Sequence, residues 1–185
     1  MSKLIYITNV SLDGFIEDAN GRFDWTEPND DVFAFITDLI SSCGTYLYGR
    51  RLYETMAVWE TDPALAAQSE LMSRFAGFWQ AANKVVYSTT LHDVSTAKTR
   101  LEPTFDPDAV RELKDSAAGD LTVGGANFAA HAFRAGLVDE CQFFIHPVFL
   151  GTGKPSLAPD TRGDLELLDE RSFANGVVYV RYRVA

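Results

Sequence analysis

Short apolar runs alternate along this chain with segments whose apolar residues recur at helical spacing. The first run, Lys3 to Val10 (KLIYITNV), is β-branched and short enough for a buried strand. Leu12-Asp13-Gly14 breaks it, and a loop carrying Trp25 and Pro28 follows. Asn29 or Asp30 can cap a helix in which Val32, Ile36, Leu39 and Ile40 share a face. Thr45 to Tyr48 reads as a second strand ended by Gly49, and Arg50 to Met56 as a short helix. Asp62-Pro63 opens a longer helix predicted to reach about Ala82. Strands are predicted at Lys84–Ser88, Thr99–Leu101 and Leu121–Val123. Helices are predicted at Pro107–Ala117 and Asn127–Ala135, the second ended by Gly136. Val138 to Phe149 is strand-rich.

The end of the chain reads as a hairpin. Leu165 and Leu167 alternate with polar neighbours, and Asn175-Gly176 supplies left-handed turn residues. Val178, Val180, Tyr182 and Val184 then alternate with Arg181 and Arg183. Strands alternating with helices, closed by antiparallel strands, predict an α/β fold with a mixed sheet. There is no internal repeat, low-complexity segment or linker, so a single domain over residues 1–185 is expected.

Composition narrows the function. The chain is 46% hydrophobic, enough for a substantial core, and its net charge is -10. That balance argues against nucleic acid or an anionic membrane as partner, since both require a basic face. A small anionic ligand held by a local basic spot is compatible with it. The N-terminus MSKLIYITNV has no secretory pattern, and no apolar stretch approaches the roughly 20 residues of a membrane span. A soluble cytoplasmic protein is expected. Cys43 and Cys141 are expected as free thiols. His92, His131 and His146 show no metal-ligand spacing, so no metal is expected, and His146 is read as a structural histidine.

Two strand–glycine–helix junctions are the candidate chemistry: Tyr48-Gly49-Arg50-Arg51 and Val123-Gly124-Gly125-Ala126-Asn127. In open α/β sheets, ligands bind beyond the carboxyl ends of strands, where a helix N-terminus offers free N–H groups. Glycine lets backbone approach a phosphate closely, and arginine grips it with a bidentate fork. Ser88-Thr89-Thr90 adds a hydroxyl-rich strand end. Together these predict a site for a phosphate-rich dinucleotide, although neither GxGxxG nor a Walker motif is present.

Four segments resemble a known superfamily. Gly49-Arg50-Arg51-Leu52-Tyr53-Glu54 resembles the G-R-x-T-[WY]-E segment of dihydrofolate reductases. Ser11-Leu12-Asp13-Gly14 resembles the S-L-D-G of the riboflavin-biosynthesis reductase domain, the C-terminal half of the bifunctional deaminase-reductase. Val123-Gly124-Gly125-Ala126 resembles the glycine pair of that family, and Pro147 to Pro155 (PVFLGTGKP) its P-V-x-L-G-x-G-x-P stretch. The resemblance implies a dihydrofolate-reductase-like three-layer sandwich: a mainly parallel central sheet with a C-terminal antiparallel hairpin. It also implies NADPH. Arg50, flanked by Gly49 and Arg51, would meet the adenosine 2′-phosphate or the neighbouring phosphate, near Ser88 and Thr89. Gly124, Gly125, Ala126 and Asn127 would present N–H groups to the pyrophosphate. Asp13, Gly14 and Trp25 would line the nicotinamide and substrate pocket. The family's substrate acid corresponds to Asp30 or Asp31. The chain departs from the pattern at Leu52, where dihydrofolate reductases carry threonine, and at Ile7, where riboflavin-pathway reductases carry lysine.

The implied activity is NADPH-dependent reduction of a small pterin- or pyrimidine-like heterocycle, with the family label 5-amino-6-(5-phosphoribosylamino)uracil reductase. A proton-donating acid with a burial-raised pKa is expected among Asp13, Asp30 and Asp31. The alternative is a non-catalytic NADPH-binding sensor or scaffold, supported by Ile7. Flavin or other nucleotide binding at the same junctions is a further reading. The resemblance also implies a homodimer, formed through an edge-capable strand from Cys141 to Phe149, with the 151–163 loop crossing to the neighbour.

Overall fold

The computed structural model describes residues 2–27 and 29–185, so the Pro28 of the expected loop lies outside the described residues. The strands are β1 (Leu4–Ser11), β2 (Phe15–Glu17), β3 (Cys43–Gly49), β4 (Asn83–Tyr87), β5 (Thr99–Glu102), β6 (Asp120–Gly124), β7 (Glu140–His146), β8 (Lys154–Pro155), β9 (Leu165–Ser172) and β10 (Val178–Val184). The helices are α1 (Asp30–Ile40), α2 (Arg50–Met56), α3 (Val58–Thr61), α4 (Pro63–Ala66), α5 (Glu70–Ala81), α6 (Pro107–Ser116) and α7 (Ala126–Arg134). A 3-10 turn at Asp24–Thr26 precedes α1.

The main sheet has the order β5-β4-β3-β6-β1-β7-β10-β9. Every pairing from β5 to β7 is parallel, while β10 runs antiparallel to both β7 and β9. From β1 the chain first moves toward β3, β4 and β5, then returns through β6 and passes to β7. The order therefore reverses at the β6/β1 boundary, where such sheets open a crevice at their carboxyl ends.

Two helical layers cover the sheet. Val110 of α6 and Ala129 and Ala132 of α7 pack with Leu4, Tyr6, Leu47, Val85 and Val123 on one face. On the other face, Tyr53 of α2 and Phe75 and Trp79 of α5 pack against Tyr46, Tyr48 and Val86. Val32 and Phe35 of α1 cover Phe144 and Tyr179 on that same side. This is the mainly parallel three-layer arrangement with an antiparallel hairpin that the resemblance implied, and it agrees with the mixed α/β sheet read from the pattern. Among the described residues, no helix is long and apolar enough to cross a membrane.

Two local expectations are corrected. The helix expected over residues 63–82 is broken, because the Ser69 hydroxyl accepts Met72 N–H and starts α5 as a separate helix after α4. The 138–149 segment is not an edge: β7 lies between β1 and β10, and β9 takes the edge with Glu166, Asp169 and Glu170. In the hairpin, Tyr179 and Arg181 lie on the side that α1 covers. Tyr179 is fully buried, whereas Val178 is 36% exposed. The side carrying Arg181 is the covered one, because Arg181 pairs with a buried carboxylate. Finally, β2 and β8 form a separate two-stranded sheet that neither short segment announced.

The carboxylate that Arg181 meets is Glu140, 2% exposed at the start of β7. It receives Arg181 Nε at 2.7 Å, Arg181 NH2 at 2.9 Å and Lys3 Nζ at 2.6 Å. Burial alone would raise its pKa; the hydrogen bonds from Arg181 and Lys3 outweigh that and bring it to about 2. The folded pKa is thus below the ordinary 4.5, so the stabilisation is full above about pH 4.5 and is lost as pH falls toward about 2. Glu140→Gln is expected to cost about 2–4 kcal/mol at pH 7, since it strands two cations that are only half exposed. Urea unfolding checks this: the gap between variant and wild type should narrow below pH 4.5.

Candidate functional site

The two glycine junctions lie side by side. Tyr48 pairs with Gly124 in register, so β3 and β6 end together and α2 and α7 begin together. A Cβ at Gly124 would run into the Leu52 methyl, which would have to turn away. Gly125 adopts φ +88°, a left-handed conformation that favours glycine. Leu52 of α2 therefore packs directly onto the glycine pair that precedes α7.

These helix starts, like that of the one-turn α3, carry no side-chain cap. Asn29, Asp62, Ser69 and Asp106 cap α1, α4, α5 and α6 with side-chain oxygens. Gly49 and Gly125, the N-caps of α2 and α7, have no side-chain cap. The first-turn N–H groups at two adjacent strand ends are thus left for an external acceptor.

Arg50 stands beside them. Its Nε donates to Glu54 Oε1 at 2.7 Å and its NH1 to Thr90 Oγ1 at 3.0 Å. Ser88 Oγ accepts the N–H groups of Thr90 and Leu91 at 3.2 and 3.0 Å. That turn brings the third hydroxyl of Ser88-Thr89-Thr90 to the guanidinium, and Thr89 takes no part. Thr90 is the residue that spacing alone missed.

Arg51 points elsewhere. Its NH1 lies 3.3 Å from Glu17 Oε1, and Lys154 Nζ lies 4.0 Å from the same oxygen. Glu17, Arg51, Asn127, Thr152 and Lys154 line a cleft of about 500 Å³. Arg51 and Asn127, both predicted as binding residues, therefore share one cleft with an anion, Glu17, that the sequence did not signal.

Asp13 accepts Ser11 Oγ–H at 2.6 Å, Leu150 N–H at 3.0 Å and Gly151 N–H at 2.7 Å. The Ser11 hydroxyl foremost, and the two amides, hold its carboxyl below the usual value. This corrects the expectation of a raised pKa at Asp13: the group is an anionic anchor joining the β1–β2 turn to the loop after β7. Gly14 makes that turn at φ +91°, and its carbonyl accepts Ser156 N–H at 2.9 Å. Asp30 and Asp31 occupy exposed positions in the first turn of α1, where their charge complements the helix dipole while Asn29 does the capping. No hydrogen bond among the described residues joins them to Asp13. Trp25 packs edge-to-face on His146 at 5.6 Å. Among the described residues no group of His, Cys, Asp or Glu could hold a metal ion. Cys43 and Cys141 are buried free thiols.

A family model described as the RibD C-terminal domain matches residues 2–179. The chain belongs to this family. It is similar to the uncharacterized protein YyaP of Bacillus subtilis (strain 168), at 31% identity over 97% of this chain and 94% of YyaP. Among solved structures it is similar to a candidate riboflavin biosynthesis protein of Shewanella sp. PV-4, with TM-score 0.76 and 19% identity over 99% of each chain. It also matches a diaminohydroxyphosphoribosylaminopyrimidine deaminase/5-amino-6-(5-phosphoribosylamino)uracil reductase of Thermotoga maritima, with TM-score 0.66 and 15% identity over all of this chain and 57% of that one. As a RibD C-terminal domain, the chain carries its glycine junctions and its Asp13 anchor at the carboxyl ends of the parallel strands.

The anchor is testable. Asp13→Ala should speed amide hydrogen exchange at Leu150 and Gly151 by about tenfold or more, while amides in the interior of β1 are unchanged. Asp13→Asn, which keeps one acceptor oxygen, should fall between the two.

Proposed function

We propose that this RibD C-terminal domain is an NADPH-dependent reductase of a small pterin- or pyrimidine-like heterocycle. Membership of the family supports a reductase. The observation that carries the cofactor is the pair of N-termini without side-chain caps at adjacent strand ends, with Arg50 and Thr90 beside them. Gly49, Gly124, Gly125, Ala126 and Asn127 would hold the pyrophosphate through backbone N–H groups, and Arg50, Ser88 and Thr90 the 2′-phosphate. Bound there, NADPH supplies a hydride. The chain orients it: Leu52 fixes the two helix starts, and Asp13 holds the loops that frame the reacting end. The pyrimidine-like part of the substrate assignment follows the names of structural neighbours, among them the T. maritima enzyme, and the pterin-like part follows the resemblance to dihydrofolate reductases.

A second reading is a non-catalytic NADPH-binding sensor. Ile7 in place of the family lysine and the downward-shifted Asp13 favour it.

Titration of NADPH and NADH, followed by tryptophan fluorescence, tests the cofactor. NADPH should bind more tightly than NADH. Arg50→Ala should weaken NADPH by about ten- to a hundredfold, the loss of a charge-assisted contact of about 1.5–3 kcal/mol. Equal affinities would remove the assignment. Oxidation of NADPH on adding pterins or pyrimidines favours the reductase over the sensor.

We also propose a homodimer. Helices α6 and α7 leave the β7-β10-β9 end of their face bare, and there Leu165 and Leu167, 46% and 51% exposed, sit opposite Val184 and Tyr182. The sheet face, not an edge, is the contact surface. The 151–163 loop makes contacts within its own chain, through Arg134–Asp160 and Tyr6 Oη to the Ser156 carbonyl. Light scattering should give twice the 20.5 kDa chain mass, and Leu167→Lys should give the monomer.

A further inference from the structure

The cleft beside α7 holds a charge cluster that the cofactor reading does not require. Glu17 ends β2 and stands opposite Lys154 of β8. Its position is built in. A Cβ at Gly153 would run into the Glu17 carbonyl, so the glycine lets β8 close onto β2. The Glu17 side chain is only 15% exposed. Arg51 is the reverse. Its side chain is 70% exposed, and its NH1 and NH2 reach the two Glu17 oxygens at 3.3 and 3.5 Å. That is a bidentate approach but a loose one, beyond the roughly 2.7–2.9 Å of a tight charged pair. Lys154 Nζ lies 4.0 Å from Glu17 Oε1. Asp18, the other carboxylate in the lining, accepts the Asn20 and Arg22 N–H groups at 2.8 and 2.9 Å and closes the turn after β2. Glu17 is therefore the carboxylate that meets the two cations of this cleft of about 500 Å³.

We propose that Glu17 is a built-in competitor for Arg51, which lowers the affinity of the cleft for a phosphate-bearing ligand. This rests on the reading that NADPH binds at the adjacent helix starts, and it names a residue that works against that binding. In the free protein the guanidinium fork is spent on Glu17. A pyrophosphate entering the cleft draws the exposed Arg51 away, while the covered Glu17 stays in place and repels the ligand's charge. Lys154 stays close enough to Glu17 to offset part of the charge set free. Arg51 is thus shared between an internal and an external anion. The dinucleotide is held less tightly than the cations alone would hold it, and it leaves faster. Release of the spent dinucleotide limits turnover in many enzymes, and a loosened grip serves that step.

Calorimetric titration of NADPH and NADH into wild type, Glu17→Gln, Glu17→Ala, Arg51→Ala and the double variant Glu17→Gln with Arg51→Ala tests this. Removing the carboxylate should tighten both dinucleotides about tenfold, because the pyrophosphate is common to them. In the Arg51→Ala background the gain from Glu17→Gln should fall below about threefold, since no guanidinium is left to release. A carboxylate that only supports the β2–β8 pairing would give the opposite sign, with weaker binding of both. A gain in neither Glu17 variant, a gain for NADPH alone, or a full gain without Arg51 overturns the proposal. Failure of the cofactor reading is seen separately. If wild type binds neither dinucleotide, that reading goes, and inorganic pyrophosphate titrated into the same proteins decides on Glu17. Tighter pyrophosphate binding by Glu17→Gln upholds the competitor, and no gain removes it.

Discussion

The missing side chain at Gly124 is the constraint on which the site depends. Because no Cβ stands there, Leu52 lies directly on the end of β6, and α2 is seated against the start of α7. Parallel register then does the rest: Tyr48 beside Gly124 makes two helix starts coincide. One such start offers a few N–H groups. Two of them at one crevice, both lacking a side-chain cap, make a concave donor surface in an otherwise strongly acidic molecule.

Charge is distributed to match. Arg50 is paired with Glu54 in an exposed contact along its own helix, and Arg51 reaches the largely covered Glu17 only at 3.3 Å. An incoming phosphate can compete with such pairs. At the opposite end of the strands, Glu140 is buried with Arg181 and Lys3, a pairing that is costly to break and holds β1, β7 and β10 together. The fold thus keeps its firm ion pairs away from the end where ligands enter. Asp13 belongs with the firm elements despite its exposure, because it spends its oxygens on loop amides rather than on chemistry.

Much of the fold was legible in the sequence, because parallel strands buried on both faces read as continuous apolar runs and glycines mark their ends. The hairpin faces were not legible. Arg181 looks like a solvent residue until Glu140, forty-one positions earlier, supplies its buried partner. Nor was the break before α5, since a capping serine inside a helical pattern resembles any surface serine. In the site, Gly49, Arg50, Ser88, Gly124 and Gly125 were readable from local motifs. Thr90 was displaced by one position because the Ser88 turn decides which hydroxyl meets Arg50. Glu17 meets Arg51 and Lys154, both distant in sequence, and no spacing rule reaches it.

The central claim is that the two uncapped helix starts form one phosphate cradle, and amide chemical-shift mapping on adding NADPH tests it most directly. The account predicts the largest shifts at the backbone N–H groups of 50–52 and 125–128, moving together at one affinity. Shifts confined elsewhere, or none at these amides, would contradict it.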